Sequence, residues 1–186
     1  MTENKSTDAL RKTWEHIDLV MRLLASAQIE LMRRQFTHDR SKLVSPEWEM
    51  FEQITHKLEG MTYGSAEYEE QRKAMLGEAL DHHYSHNRHH PEYFKDGLQG
   101  MNLFDLLEMF IDWNCACLRH KDGDINVSIE VNRDRFKMSD ELVQIFKNTV
   151  PWVEDEFADL KTQKDIEFVR GLKATLIDGS SLDHLS

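Results

Sequence analysis

Apolar side chains recur at helical spacing along most of the chain. Between Asp8 and Arg34 they occur every three or four residues, at Leu10, Trp14, Ile17, Met21, Leu24 and Leu31, with Gln28 as an exception. This spacing predicts one long amphipathic helix. Helix start signals follow at Ser45-Pro46-Glu47, at Ser65, and at Asn102 with Asp105 three residues later. Shorter helices are expected at about 127–136, 140–148, 152–160 and 164–177.

A single all-α domain is the fold that this pattern favours. Three Pro and eight Gly leave few interruptions in 186 residues. One segment, 125–131, alternates like a strand, but a lone strand has nothing to pair with, so a helix is expected there too. We predict a single-domain helical bundle over residues 8–177, with flexible ends at 1–7 and 178–186.

The charge balance restricts the class of partner. The chain carries 34 acidic and 23 basic residues, a formal net charge of −11. This excess disfavours binding to polymeric nucleic acid or to an anionic membrane, which requires clustered Lys and Arg. A small phosphorylated ligand remains compatible, because a few local cations suffice. The N-terminus lacks an apolar signal segment and no stretch has the length of a membrane span, so we expect a cytoplasmic protein.

Histidine is the residue type with the most informative placement. Five of the ten histidines lie within nine residues, at His82, His83, His86, His89 and His90. A His38-Asp39 pair precedes them, and His16 lies on the first predicted helix beside apolar neighbours. Imidazole nitrogens and carboxylate oxygens are the ligands of borderline divalent cations. The alternative for the cluster alone is a solvated loop that binds metal adventitiously.

Asp112 adds a buried carboxylate to this set. It lies within the most hydrophobic segment of the chain, 106–113, where an acid must be paired, protonated or metal-bound. Glu108 comes one helical turn earlier and can face the same place, and Glu108 and Glu92 are candidates for orienting ligand imidazoles. A divalent cation would satisfy His16, Asp39 and Asp112 together with the histidine cluster.

The ordered set resembles the HD-domain superfamily, whose pattern is a lone His, an adjacent His-Asp pair and a distal Asp in a helical bundle. His38-Asp39-Arg40-Ser41-Lys42 is also similar to that family's His-Asp-x-x-Lys variant. More closely, this segment together with His82-His83-Tyr84-x-x-Asn87-x-His89-His90-Pro91-Glu92 resembles an uncharacterised family from bacteria and their phages. The resemblance covers roughly residues 10–120 and implies a helical bundle of the HD-domain type.

The resemblance implies a metal centre and roles for several residues. The metal ligands would be drawn from His16, His38, Asp39, His82, His83, His89, His90 and Asp112, with Asp39 as a bridging carboxylate. They would bind one or two divalent ions, whether Mn, Fe, Co, Ni or Mg. Lys42 would hold a substrate phosphate, unless it is an ordinary solvated lysine, and Arg88 is a second phosphate candidate. A remaining histidine, such as His86, would protonate the leaving group.

Three functions follow as hypotheses. The first is a metal-dependent phosphohydrolase acting on a small phosphate ester, with a nucleotide favoured by the resemblance alone. The second is a di-iron oxygenase, because imidazole and carboxylate serve iron as well. The third is a non-catalytic protein that sequesters a nucleotide. The sequence leaves open whether the chain forms a homodimer.

Overall fold

The helical pattern is realised in the folded chain. The structure is a computed structural model that describes residues 3–58, 70, 77, 79–118 and 123–162. Over these ranges it contains α-helices and short 3₁₀ turns but no strand, which confirms the all-α fold class. The helices are α1 (Glu3–Thr37), α2 (Glu47–Leu58), α3 (helical residues 79–86), α4 (Leu103–Leu118), α5 (Ile125–Phe136) and α6 (Asp140–Thr162). The 3₁₀ turns are Arg40–Leu43, Pro91–Tyr93 and Gly97–Gly100.

Several helix boundaries differ from the predicted ones. Helix α1 begins five residues before the predicted start at Asp8. The predicted stretches 140–148 and 152–160 form one helix that contains Pro151. The predicted break was wrong because a proline removes only one backbone hydrogen bond, and the buried side chains of Val143, Phe146 and Val150 support the helix on its N-terminal side. The strand-like segment is helical, as expected, and Asp124 caps it by accepting from Asn126 N at 2.8 Å. The predicted helix start at Ser65, the helix at 164–177 and the tail at 178–186 lie outside the described residues.

The chain divides between Met109 and Phe110 into two compact units. The predicted capping box is confirmed in the first of them. The side chain of Asn102 accepts from Asp105 N at 3.0 Å, and the carboxylate of Asp105 accepts from Asn102 N at 2.9 Å. These two bonds fix the start of α4 and direct the fully buried Asp105 inward.

The second unit has its own aromatic core. Phe110 stacks on Phe146 with ring centroids 5.0 Å apart, and Trp113 packs edge-on against Phe146 at 5.9 Å. Ile129 is fully buried in the same unit. None of the helices in the described part of the chain combines the length and the apolar character that a membrane span requires.

Candidate metal centre

The candidate site lies within the first unit, where α1 ends. Asp39 follows α1 and has a left-handed backbone, with φ at +55°. An Asp side chain tolerates this conformation better than most residues, and it turns the chain into the 3₁₀ turn Arg40–Leu43. His83 lies near the end of α3, and the short loop after it carries His89 and His90. Local structure therefore brings together the His-Asp pair and three of the five histidines of the cluster.

Four potential ligand atoms converge in this place. Asp39 Oδ1 lies 3.3 Å from His83 Nε2 and 3.4 Å from His89 Nε2, and the Nε2 atoms of His83 and His90 are 2.9 Å apart. Each of these four residues offers a ligand atom within 4.8 Å of the others. Ligand atoms about 2.1 Å from one ion in tetrahedral geometry lie roughly 3.4 Å from one another. The spacing thus fits one cation held by three imidazoles and one carboxylate.

Two of these atoms lack a hydrogen bond. Within the described part of the chain, Asp39 Oδ1 and His89 Nε2 are buried and have no hydrogen-bond partner. Leaving a buried polar atom unpaired costs on the order of 1–3 kcal/mol, so native proteins seldom tolerate it. Two such atoms that face each other fit the donor set of a cation site.

Glu108 orients two of the imidazoles from behind. Its Oε1 lies 2.9 Å from His38 Nδ1 and 3.2 Å from His89 Nδ1. Its Oε2 accepts from Arg34 at 2.9 Å. A carboxylate on Nδ1 fixes that proton and leaves the Nε2 lone pair for a metal ion, as in many metal sites. His38 Nε2 accordingly lies 3.6 Å from Asp39 Oδ2, beside the four-residue cluster.

Glu47 orients the imidazole of His83 in the same way, through its Nδ1 atom. Glu47 is the first residue of α2, is fully buried, and has its Oε2 2.9 Å from His83 Nδ1. Ser41 donates to the same carboxylate oxygen at 3.0 Å, and Asn87 donates to Ser41 Oγ at 2.7 Å. This network directs His83 Nε2 towards Asp39.

The ionisation states suit a cation site. Burial opposes ionisation of Asp39 and Glu108, but neighbouring positive charges and hydrogen bonds outweigh it and hold the pKa of each well below its usual range. Burial, together with neighbouring cationic groups, lowers the pKa of His83, and it lowers that of His90 to about 2. Burial also opposes protonation of His89, yet Asp39 and Glu108 raise its pKa. The cluster therefore presents ionised carboxylates and at least two neutral imidazoles.

Lys42 and Arg88, the two predicted phosphate contacts, occupy different environments. Lys42 forms a close ion pair with Asp39 Oδ2, and its side chain remains 37% exposed. Arg88 instead donates to both oxygens of the buried Asp105, at 3.2 and 3.1 Å, and stacks over Tyr93 and Phe94. The guanidinium of Arg88 thus neutralises a buried acid, and its predicted contact with a phosphate stays a prediction.

The structure does not bring His16, His82 or His86 to the ligand cluster. His16 lies on an exposed stretch of α1, and 22 residues of helical rise separate it from His38 by about 30 Å. His82 Nδ1 is 2.6 Å from Glu47 Oε1, and the exposed His86 stacks on its ring at 3.9 Å. Helix geometry therefore separates His16 from this cluster, whereas the roles predicted for His82 and His86 stay predictions.

Asp112 lies one turn after Glu108 on α4, within the second unit. Its part in a metal centre stays a prediction.

Comparison with known families places the chain. The sequence profile of the family of unknown function DUF5662 matches residues 5–157, a span that includes all of the ligand cluster. The chain belongs to this family. Neither the curated proteins nor the solved structures include a match. Membership of DUF5662 does not link the chain to the HD-domain superfamily, so that resemblance stays a prediction.

Within the span matched to DUF5662, the sequence reveals only part of the set of residues that support the ligands. Glu108 is a candidate for orienting ligand imidazoles, and its Oε1 contacts Nδ1 of His38 and His89. Glu47 is predicted only as a helix-start acid, and the sequence assigns no role to Arg34 or Ser41. A partial signal existed for Glu47, because an acid directly after a Ser-Pro start signal is placed in the first turn of a helix. Its complete burial follows from tertiary packing alone.

Proposed function

We propose that this protein is a metal-dependent phosphohydrolase that acts on a small phosphate ester, with nucleotides as the first class to test. The observation that carries the proposal is the pair of unsatisfied buried atoms, Asp39 Oδ1 and His89 Nε2, 3.4 Å apart among further potential ligands. A pair of this kind is costly unless a cation binds there.

Asp39, His83, His89 and His90 would hold the ion. Three imidazole nitrogens and one carboxylate oxygen suit Zn, Mn, Fe, Co or Ni better than a hard ion such as Mg. His38 lies beside them, with its Nε2 3.6 Å from Asp39 Oδ2, and is the imidazole that a second ion would contact. When bound, a divalent ion of this kind supplies a water of lowered pKa and positive charge for the phosphoryl oxygens.

The chain's own residues have defined tasks in this proposal. Glu108 and Glu47 hold protons on Nδ1 of His89 and His83, so that each Nε2 keeps its lone pair. Lys42 carries its ammonium beside Asp39 at the exposed side of the cluster, where it would bind a phosphate oxygen. The net charge of −11 supports a small substrate rather than a polymeric nucleic acid.

Metal analysis followed by a phosphate-release screen tests the proposal. Protein purified without oxygen would be assayed for bound metals, stripped, and tested on nucleotides with Mn, Fe, Co, Ni, Zn or Mg added back. We expect bound divalent metal and metal-dependent phosphate release, both lost in Asp39→Asn and both retained in His16→Ala.

Other outcomes would replace the proposed function. A redox-active iron centre that consumes dioxygen would favour the oxygenase hypothesis. Tight nucleotide binding without release of phosphate would favour the sequestering protein. Absence of bound metal under every condition would remove the centre itself.

A further inference from the structure

The N-terminal two thirds of α1 project away from the packed part of the first unit. Every residue from 9 to 26 is exposed, and contact with the rest of the unit begins near Ala27, Glu30 and Leu31. The exposed stretch contains large apolar side chains, among them Leu10, Trp14, Met21 and Leu24 at about 60% exposure. Contiguous exposed apolar side chains of this kind typically mark an interaction site, so such a surface calls for a partner.

The exposed residues form a regular seam. Leu10, Trp14, Ile17, Met21 and Leu24 are spaced by four, three, four and three residues, which is the heptad spacing of a coiled coil. A pattern of this period keeps one narrow stripe facing a neighbouring helix. The occupant that this stripe fits is therefore a second α-helix.

We propose that the occupant is α1 of a second copy of this chain, packed antiparallel. The seam is self-complementary in that orientation when the symmetry axis passes between Glu15 and His16. In this register Trp14 faces the partner's Ile17, and Leu10 faces the partner's Met21. Four of the five seam residues then meet one another, and Leu24 faces the partner's Thr7.

Charges flanking the seam favour the antiparallel orientation. Arg11 and Asp18 follow Leu10 and Ile17 by one position each, so they occupy equivalent flanks of the heptad. Equivalent flanks meet in an antiparallel pair, and Arg11 of each copy would face the partner's Asp18. In a parallel pair Asp18 would instead face the uncharged Thr13.

The charged residues beside the seam already form ion pairs within α1. Arg11 pairs with Asp8 and Glu15, and Asp18 pairs with Arg22, all as exposed ion pairs on the same helix. Pairs of this kind exchange readily for intermolecular ones.

The length of the projecting segment matches this register. With the axis between residues 15 and 16, Glu3 of one copy lies opposite Gln28 of the other. The N-terminal end of the partner's helix would therefore lie beside the point where α1 begins to contact its own unit, near Ala27. The paired segment of 26 residues would be roughly 39 Å long.

A second copy accounts for the seam better than the C-terminal segment of the same chain. The DUF5662 profile includes α1 but ends at residue 157, so residues 163–186 lie outside the matched span. Because α1 lies inside the matched span, we expect the helix that packs against it to lie inside the span as well.

Light scattering of the full-length protein tests the proposal. We expect a mass twice the 21.9 kDa of one chain, with or without a chelator, since the seam is remote from the ligand cluster. Ile17→Lys should give a monomer with unchanged helical content. Leu19→Lys, which adds the same charge on the opposite face, should remain dimeric.

The orientation has a separate test. Arg11→Glu should weaken the dimer by placing two acids together, and Arg11→Glu combined with Asp18→Arg should restore it. A monomeric wild-type protein at all concentrations would overturn the proposal. Equal dissociation by Leu19→Lys would also overturn it, as would a dimer that forms only after residues 163–186 are deleted, which would assign the seam to that segment. None of these outcomes depends on metal or on catalysis, so each is distinguishable from a failure of the proposed function.

Discussion

Asp39 Oδ1 lies 3.4 Å from His89 Nε2, and both atoms are buried without a hydrogen bond. Glu47 and Glu108 contact the other side of the rings, at Nδ1 of His83 and His89, so each Nε2 is directed towards Asp39. A bound cation would remove the cost of both unsatisfied atoms at once. Stability and metal binding are therefore expected to be coupled in this protein.

Removing a ligand should abolish metal binding. We expect His89→Ala to lose bound metal, because one of the four converging ligand atoms disappears. The matched control is His16→Ala, which removes an imidazole about 30 Å away. Elemental analysis of both variants measures the effect. Full occupancy in His89→Ala would place the metal elsewhere.

Removing an orienting carboxylate should weaken metal binding without abolishing it. Glu108→Gln is expected to lower the affinity about 10- to 100-fold, because a neutral amide replaces the carboxylate that fixes the Nδ1 protons of His38 and His89. Competition with a chromophoric chelator measures the change. Glu52→Gln, at an exposed position of α2, serves as the control. Equal affinities for the two variants would show that Glu108 has no influence on the ligands.

Lys42 should act on the substrate rather than on the metal. Lys42→Ala is expected to retain the metal and to raise the KM for a phosphorylated substrate about tenfold or more, since one charge-assisted hydrogen bond is lost. Arg40→Ala removes an exposed cation from the same 3₁₀ turn and should leave KM unchanged. Identical kinetics for both variants would make Lys42 an ordinary surface residue.

Metal affinity should rise with pH. Asp39 and Glu108 raise the pKa of His89 above its ordinary 6.5, so below that pKa the metal must displace a proton. His90, with a pKa lowered to about 2, contributes no such competition near neutrality. The affinity should change about tenfold per pH unit below the pKa of His89 and level off above it.

The stability that His89 contributes to the metal-free protein should fall as the pH rises, whereas the metal affinity rises. A raised pKa in the folded state stabilises the protein below the unfolded-state pKa, and this contribution is lost as pH rises through the folded-state pKa. The increase in melting temperature caused by metal should therefore grow with pH. Calorimetry in buffers of different ionisation heat counts the released protons. Binding without proton release would contradict the assignment to His89.

The buried acid Asp105 should be a determinant of stability. It is fully buried and pairs with Arg34 at 2.9 Å and with Arg88. Asp105→Ala leaves Arg34 short of a partner and also removes a helix cap, so we expect a loss of about 3–5 kcal/mol in the free energy of unfolding. Asp96→Ala, at an exposed position, is the control, and denaturant unfolding measures both. A loss below ~1 kcal/mol would mean that the pair contributes little.

The sequence was informative where the signal is local. Helical periodicity predicted the all-α class, and the Asn102–Asp105 capping box was readable because its partners are three residues apart. His83, His89 and His90 were selected because they cluster in the chain.

Tertiary placement was harder to predict. Glu47 lies 36 residues from His83, and no local pattern links them. His16 was misassigned because its apolar neighbours suggested burial, whereas this part of α1 projects into solvent.

The left-handed turn at Asp39 decides which replacements are informative at that position. Glycine and asparagine adopt this conformation readily, whereas alanine pays about 1–2 kcal/mol for it. Asp39→Ala would therefore confound loss of a ligand with distortion of the entire bend. Asp39→Asn keeps both the bend and an oxygen donor while removing the negative charge. That single substitution separates what electrostatics contributes to the centre from what shape contributes.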